Sequence, residues 1–278
     1  MTHDYKRNGT TRRYDSVEDR TLDASEVPQT SVIITVSYQK FLQLRAILKS
    51  RSKEREPIQQ QWSGNMIIVV QQNKASQYTE LLEQMFRLRA RVFHDQLGWD
   101  VKVVNGMECD RYDDDTSVYI IYSDDDGRRV IGSLRLLRTT GPTLLDEFFS
   151  DTRPDAAQLA SPAIWECTRF CIDEDYLKGN HGDVFEASSV LLAALGEVAL
   201  AAGIQSVIGN FVPKMLRLYR RIGCEVEVQG STDRYGDPVY LGSFPVTERI
   251  LQQIKEKLTS RRQRRRFVEI EKQDLLAA

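Results

Sequence analysis

The chain changes its hydrophobic rhythm at Met66. There MIIVVQ, a short run rich in β-branched residues between polar flanks, predicts a buried strand. Beyond it Tyr78, Leu81, Leu82, Met85, Arg89, Val92 and Phe93 recur at three- and four-residue spacing, which predicts an amphipathic helix over about 76–94. VYIIYS (118–123) and RVIGSLRLL (129–137) read as two strands around the turn-forming DDDG. TTGP (139–142) ends the second strand, a short helix is expected at about 143–149, and AIWECTRFCID reads as a central strand. An Ala- and Leu-rich helix (about 185–202), a strand SVIGN (206–210), a helix (about 212–222) and strands near 224–229 and 238–243 complete the pattern. Antiparallel hairpins early and βαβ crossovers late predict an α/β protein, a three-layer sandwich around a mixed, mostly antiparallel sheet.

That rhythm divides the chain. Residues 66–245 are expected to form one domain. Residues 1–65 are polar and interrupted apart from SVIITV (31–36) and YQKFLQLRAIL, and are expected to be an extension, either poorly ordered or read from a start upstream of Met66. Residues 246–278 predict a charged C-terminal helix or tail carrying RRQRRR (261–266).

Composition adds bounds. With 278 residues, 41% hydrophobic and 28% charged, the chain is neither collagen-like nor wholly disordered, and no run approaches the roughly 20 apolar residues of a spanning helix. Stable membrane insertion is therefore not expected. A formal net charge of −2 gives no global pull toward nucleic acid, so any electrostatic argument has to be local. The N-terminus lacks the apolar core of a secretory signal, and cytoplasmic residence is expected. Cys109, Cys167, Cys171 and Cys224 form no C-x-x-C pair and the histidines are scattered, so neither a disulfide framework nor a metal site is expected.

One residue breaks the helical pattern at about 76–94. Of Arg87, Arg89 and Arg91, only Arg89 shares the face of Leu82, Met85 and Phe93, where a guanidinium requires a carboxylate partner or a ligand. Acidic partners are available in GMECDRYDDD (106–115).

Four blocks, RARVFHDQLGW (89–99), ECDRYD (108–113), VIGSLRLLRTTGP (130–142) and WECTRF (165–170), resemble in order and spacing the acyl-homoserine-lactone synthases of bacterial quorum sensing, the LuxI type. The resemblance runs from about Met66 to Gly242. It implies an acetyltransferase (GNAT)-like fold and an acyltransferase that acylates the α-amine of S-adenosylmethionine from an acyl thioester, then closes the lactone and expels methylthioadenosine. S-adenosylmethionine is then a substrate, and no cofactor is implied. Arg89, Phe93 and Trp99 match the family's R-x3-F-x5-W element at the S-adenosylmethionine pocket, and Asp110 and Asp113 its acidic pair. With Arg135 and Arg169 these are expected to form a partly buried ion-pair network of five charges that shapes the pocket. A sulfonium, an amine, a carboxylate and an adenine ring call for just such aromatic faces and mixed charges.

Glu166 is the expected general base for the amine. Glu166 and Arg169 are three apart, so a regular strand would point them to opposite faces. Either one of them leaves the cleft or a bulge re-aims them; Glu166 is expected to face the cleft and Arg169 to pack with the acidic pair. The family's usual acyl donor is acyl carrier protein, a small acidic partner. In PKMLRLYRRIG (213–223), Lys214, Arg217 and Arg220 or Arg221 form a cationic stripe opposite Met215, Leu218 and Ile222 that suits it. The chain departs from the family pattern at Arg138, where proline is common, and in its long N-terminal extension.

Two other readings are distinguishable. A GCN5-related N-acetyltransferase with an acyl-CoA donor would carry a Q/R-x-x-G-x-G/A phosphate turn, whereas the corresponding segment reads LKGNHGDVFEAS (177–188). A non-catalytic nucleic-acid-binding protein using RRQRRR would leave Glu166, Arg135 and the acidic loop without a role.

Overall fold

The strand predicted at Met66 forms one edge of the principal sheet. In the computed structural model the described residues are 66–71, 78–114, 116–124, 128–153, 159–180 and 182–277, with side chains described as far as residue 262. The expected extension 1–65 lies outside them. We label the elements β1 (Met66–Gln71), α1 (Thr79–Arg89, continued as a π-helical turn Ala90–Gln96), β2 (Val103–Val104), β3 (Met107–Glu108), β4 (Val118–Ser123), β5 (Val130–Arg138), α2 (Leu144–Phe148), β6 (Ile164–Ile172), α3 (Glu174–Gly179), α4 (Val184–Ala201), β7 (Ser206–Phe211), α5 (Pro213–Ile222), β8 (Glu227–Thr232), β9 (Val239–Pro245) and α6 (Glu248–Ala277).

Seven strands form one sheet in the order β1-β4-β5-β6-β7-β9-β8, and β2 and β3 form a separate hairpin. Among the described strands only the β6–β7 pair is parallel, reached through the α4 crossover. On one face, Leu191, Ala194 and Leu195 of α4 and Leu258 of α6 pack against Ile120, Leu134, Leu136 and Val207. Tyr219 and Ile222 of α5 join the same layer beside Ile250 and Ile254 of α6. On the other face, Leu81, Leu82, Met85, Leu88 and Phe93 of α1 cover Tyr119, Ile121 and Val130, and Leu145 of α2 covers Ile208 and Leu241. The fold is the expected three-layer sandwich. Helix α4 is largely apolar because it is packed between the sheet and α6, so its hydrophobicity belongs to the core.

Local chemistry sets the helix ends. Asp183 caps α4, accepting from the amides of Phe185 and Glu186. Pro213 opens α5, and Gly223 closes it at φ +114, a conformation that favours glycine.

Two irregularities concern the site. The β6–β7 pairing runs only from Ile164 opposite Ser206 to Glu166 opposite Ile208, although β6 continues to Ile172. The strands share no further register beyond that point. In addition, Arg135 is registered with Thr168 but Ser133 with Cys171, so two residues of β6 oppose one of β5. Arg169 lies in this bulge at φ +53.

Candidate active site

The bulge resolves the conflict between Glu166 and Arg169. Trp165, Cys167 and Phe170 pack on the α4 side of the sheet, whereas Arg169 reaches the carboxylates beside α1. The extra residue thereby sets Glu166, Thr168 and Arg169 on one face, as bulges near active sites do.

The charges predicted to associate meet there. Arg89, only 1% exposed, directs Nε to Glu108 Oε2 at 2.5 Å and both terminal nitrogens to the two oxygens of Asp113, at 2.7 and 2.9 Å. Arg135, fully buried, grips Asp110 with both terminal nitrogens at 2.6 and 2.9 Å, reaches Asp113 at 2.8 Å and donates Nε to Thr168 Oγ1. Arg169 donates to Glu108 at 2.9 Å and pairs with Asp110 at 2.9 Å. The pairs close into a ring of alternating sign, Arg89, Glu108, Arg169, Asp110, Arg135, Asp113 and back to Arg89. Tyr119 adds its hydroxyl to Asp113 at 2.9 Å.

The ring corrects the expectation of five charges. Glu108 is the sixth member, fully buried, and without it Arg89 and Arg169 would share no partner. It could have been found, because in E-x-D the first and third residues of an extended segment point the same way. Arg169 also packs with Asp110 and Glu108 rather than with the pair Asp110 and Asp113.

Alternation of sign is how a buried cluster this size survives desolvation. Burial pushes the Asp113 carboxyl upward, but the hydrogen bonds and charge of Arg89, with the charge of Arg135, overcome it and hold the group well below the usual carboxylate range. Burial likewise opposes the charge of Arg89 and of Arg135, and their carboxylate partners more than restore it.

The aromatic pair stands at the edge of this ring. After the π-helical turn, Gly98 at φ +64 reverses the chain and the Trp99 amide donates to the Phe93 carbonyl at 2.8 Å. That closure stacks the two rings, with centroids 5.1 Å apart and planes 29° apart. Phe93 is buried and Trp99 is 43% exposed, so one ring anchors the other at the surface. The Arg169 guanidinium lies 5.4 Å from the Phe93 centroid, which ties the aromatics to the charges.

Glu166 shares the ring's sheet face and is 1% exposed, and its oxygens accept from the first two amides of α2, Leu144 at 3.0 Å and Leu145 at 2.9 Å. Burial raises its pKa to about 7, outweighing these two amides and the nearby Arg135. A carboxyl poised there can take up or release a proton near neutrality.

Lys214, Arg217, Arg220 and Arg221 are exposed on α5, on the opposite side of the sheet from the ring. Among the described residues, no group of three or more His, Cys, Asp or Glu side chains is arranged to hold a metal ion.

The segment that carries the buried ring and the stacked aromatic pair is matched by a family profile described as autoinducer synthase, which covers residues 72–254. The chain belongs to the autoinducer synthase family. An acyl-homoserine-lactone synthase of Rhizobium etli is 38% identical over 169 residues, 59% of this chain and 77% of the relative. One from Agrobacterium fabrum (strain C58 / ATCC 33970) is 30% identical over 190 residues, 68% and 90%. Among solved structures, the CoA-dependent acyl-homoserine lactone synthase BjaI with SAM and isopentyl-CoA superposes with a TM-score of 0.61 at 27% identity, over 70% of this chain and 90% of that one. TofI in a ternary complex with an inhibitor and MTA gives 0.58 at 29%, over 68% and 96%. The chain is accordingly an acyltransferase of the acyl-homoserine-lactone synthase kind, with the acetyltransferase-like fold these neighbours share.

Proposed function

We propose that this synthase acylates the α-amine of S-adenosylmethionine with the acyl group of an acyl carrier protein, then closes the lactone and releases methylthioadenosine. The observation that carries the reading is the placement of Glu166, near pKa 7, on the same sheet face as the charged ring and its aromatic edge, at the last registered pair of β6 and β7.

The roles follow from the geometry. Phe93 and Trp99 offer π faces to the sulfonium and adenine. Asp110 is the most exposed carboxylate of the ring, 20% against 5% for Asp113 and none for Glu108, and is the one able to meet the substrate's ammonium. Arg89, Asp113 and Arg135 are consumed by internal pairs and shape the pocket without touching substrate, and Arg169 braces Phe93. Glu166 accepts the amine proton, directly or through one water, as nitrogen attacks the thioester carbonyl and the carrier thiol departs. In the second step the carboxylate of the same substrate displaces the sulfonium at Cγ, so methylthioadenosine leaves and no methyl group is transferred. Positioning suffices for that ring closure, since both reacting ends belong to one molecule.

The carrier protein is favoured over free coenzyme A by the α4 N-terminus. The amides of Phe185 and Glu186 there are already taken by the Asp183 carboxylate, which leaves them unavailable to a phosphate. Lys214, Arg217, Arg220 and Arg221 supply a basic face for an acidic carrier instead.

The test supplies the purified protein with S-adenosylmethionine and matched acyl chains on carrier protein and on coenzyme A. Methylthioadenosine and an N-acyl-homoserine lactone ion should appear, with higher kcat/KM for the carrier-bound donor. Release of neither product from either donor would overturn the synthase reading; preference for coenzyme A would overturn the donor.

A further inference from the structure

The C-terminal helix α6 continues past residue 254, where the family match ends, and there it packs on the body. Leu258 is buried in the core. Arg261 holds Asp183 at the start of α4, with Nε at 3.0 Å and Nη2 at 2.6 Å, and Arg262 holds Glu186 at 2.6 Å. The guanidiniums of Arg261 and Arg221 both lie against the Phe185 ring, at 4.6 and 5.4 Å, so α4, α5 and α6 share one aromatic centre. Gln253 donates to the Gly223 carbonyl at 3.0 Å, and Lys257 Nζ lies 3.5 Å from the Arg220 carbonyl. These contacts seat α6 alongside the C-terminal end of α5.

The charge they assemble is one-sided. Helix α5 contains no acidic residue and exposes Lys214, Arg217, Arg220 and Arg221, and the exposed Lys257 adjoins Arg220. Most neighbouring carboxylates are engaged by cations, Asp183 and Glu186 with Arg261 and Arg262, and Glu225 with Arg249, while Glu256, exposed beside Lys257, accepts from Gln252 at 3.0 Å.

We infer that the α6 segment beyond residue 254 enlarges the α5 stripe into a two-helix basic docking face for the acidic carrier protein, with Lys257 as a contact and Arg261 and Arg262 as the anchors that hold α6 in place. The inference rests on the carrier-donor reading above. A face spanning two helices fits a helical protein with a distributed negative surface, and opposite potentials of this kind set encounter rate and salt dependence.

The experiment measures KM for an acyl carrier protein in the full chain and in Lys257→Glu, Arg217→Glu and Lys178→Glu, the last on α3, where it pairs with Glu174 and Asp175 rather than with α5 or α6. Lys257→Glu should raise KM about five- to tenfold at low salt, with the difference narrowing at about 0.5 M salt, while Lys178→Glu leaves it unchanged. If Arg217→Glu raises KM and Lys257→Glu matches Lys178→Glu, α6 has no part in docking although the carrier reading stands. Should neither Arg217→Glu nor Lys257→Glu act, or the acyl carrier protein yield no methylthioadenosine where acyl-CoA does, the docking face itself is refuted.

Discussion

At the scale of single residues, Glu166 shows why a catalytic and a structural role have to be separated by design. Its carboxylate receives two backbone amides in a site closed to solvent. In Glu166→Gln one of those donors faces an amide NH2, so a buried N–H loses its acceptor, at a cost of about 1–3 kcal/mol. The variant should be measurably less stable in denaturant and, if Glu166 is the base, about a hundredfold or more lower in kcat, with little change in KM for S-adenosylmethionine. The pH dependence distinguishes the two effects. An ordinary glutamate titrates near 4.5 and this one near 7, so between those values the folded state binds the extra proton. Wild-type stability from this group therefore falls as pH rises from 4.5 through 7 and is flat above, while kcat/KM climbs to a plateau above 7. Glu166→Gln should lose both slopes; a variant that keeps the kinetic limb removes Glu166 as its source. Arg89 calls for similar care. Arg89→Ala leaves Glu108 to Arg169 alone and Asp113 to Arg135 and Tyr119, so the ring keeps three carboxylates against two guanidiniums, and an uncompensated buried charge costs about 3–5 kcal/mol, a large part of an ordinary domain's stability. A drop of that size in the denaturation midpoint is expected, so inactivity of this variant is no proof of a chemical role.

Elements explain what could be read from the chain and what could not. Strands at Val118–Ser123 and Ile164–Ile172 and the helices at Val184–Ala201 and Pro213–Ile222 follow from apolar periodicity, because each buries one face or all of itself. Five of the six ring residues were marked by charges set within apolar or motif context. The β2–β3 hairpin was missed although V-V-N-G-M-E announces it: Asn105 and Gly106 sit at φ 54 and 74, as an Asn-Gly turn between short strands requires. Recognising it would have placed Glu108 on a strand beside Asp110. The π-helical turn that stacks Phe93 on Trp99 has no periodic signature, since it arises from one residue inserted in a helix whose apolar face continues. The bulge at Arg169 was foreseen only as one answer to a parity conflict. Its positive φ yields a sharp expectation. An L side chain there costs about 1–2 kcal/mol in backbone strain, which glycine avoids. Arg169→Gly and Arg169→Ala both forfeit the pairs to Glu108 and Asp110, yet the glycine variant should be the more stable by about 1 kcal/mol, the reverse of the usual order in a strand. Denaturant midpoints of the two variants compare this directly, and equal or inverted midpoints would deny the left-handed geometry.

On the scale of the whole molecule, β6 divides two tasks between its faces. Toward α1 and α2 it presents Glu166, Thr168 and Arg169 to the charged ring; toward α4 it presents Trp165, Cys167 and Phe170 to the core shared with α6. The basic α5 stripe belongs to the second side, and the sheet's thickness separates it from the ring. Because the ring alternates in sign, its own field largely cancels and it should not feel a charge change on α5. Reversing Lys214 and Arg217 together to glutamate should therefore raise KM for an acyl carrier protein about tenfold or more at low salt, and leave KM for S-adenosylmethionine within about twofold. Both side chains are exposed and opposite the buried Tyr219 and Ile222, so folding is not at issue. Steady-state kinetics at two ionic strengths measure the split. A parallel rise in both KM values would mean that the two faces are coupled through β6, and that donor docking and amine binding are not independent events.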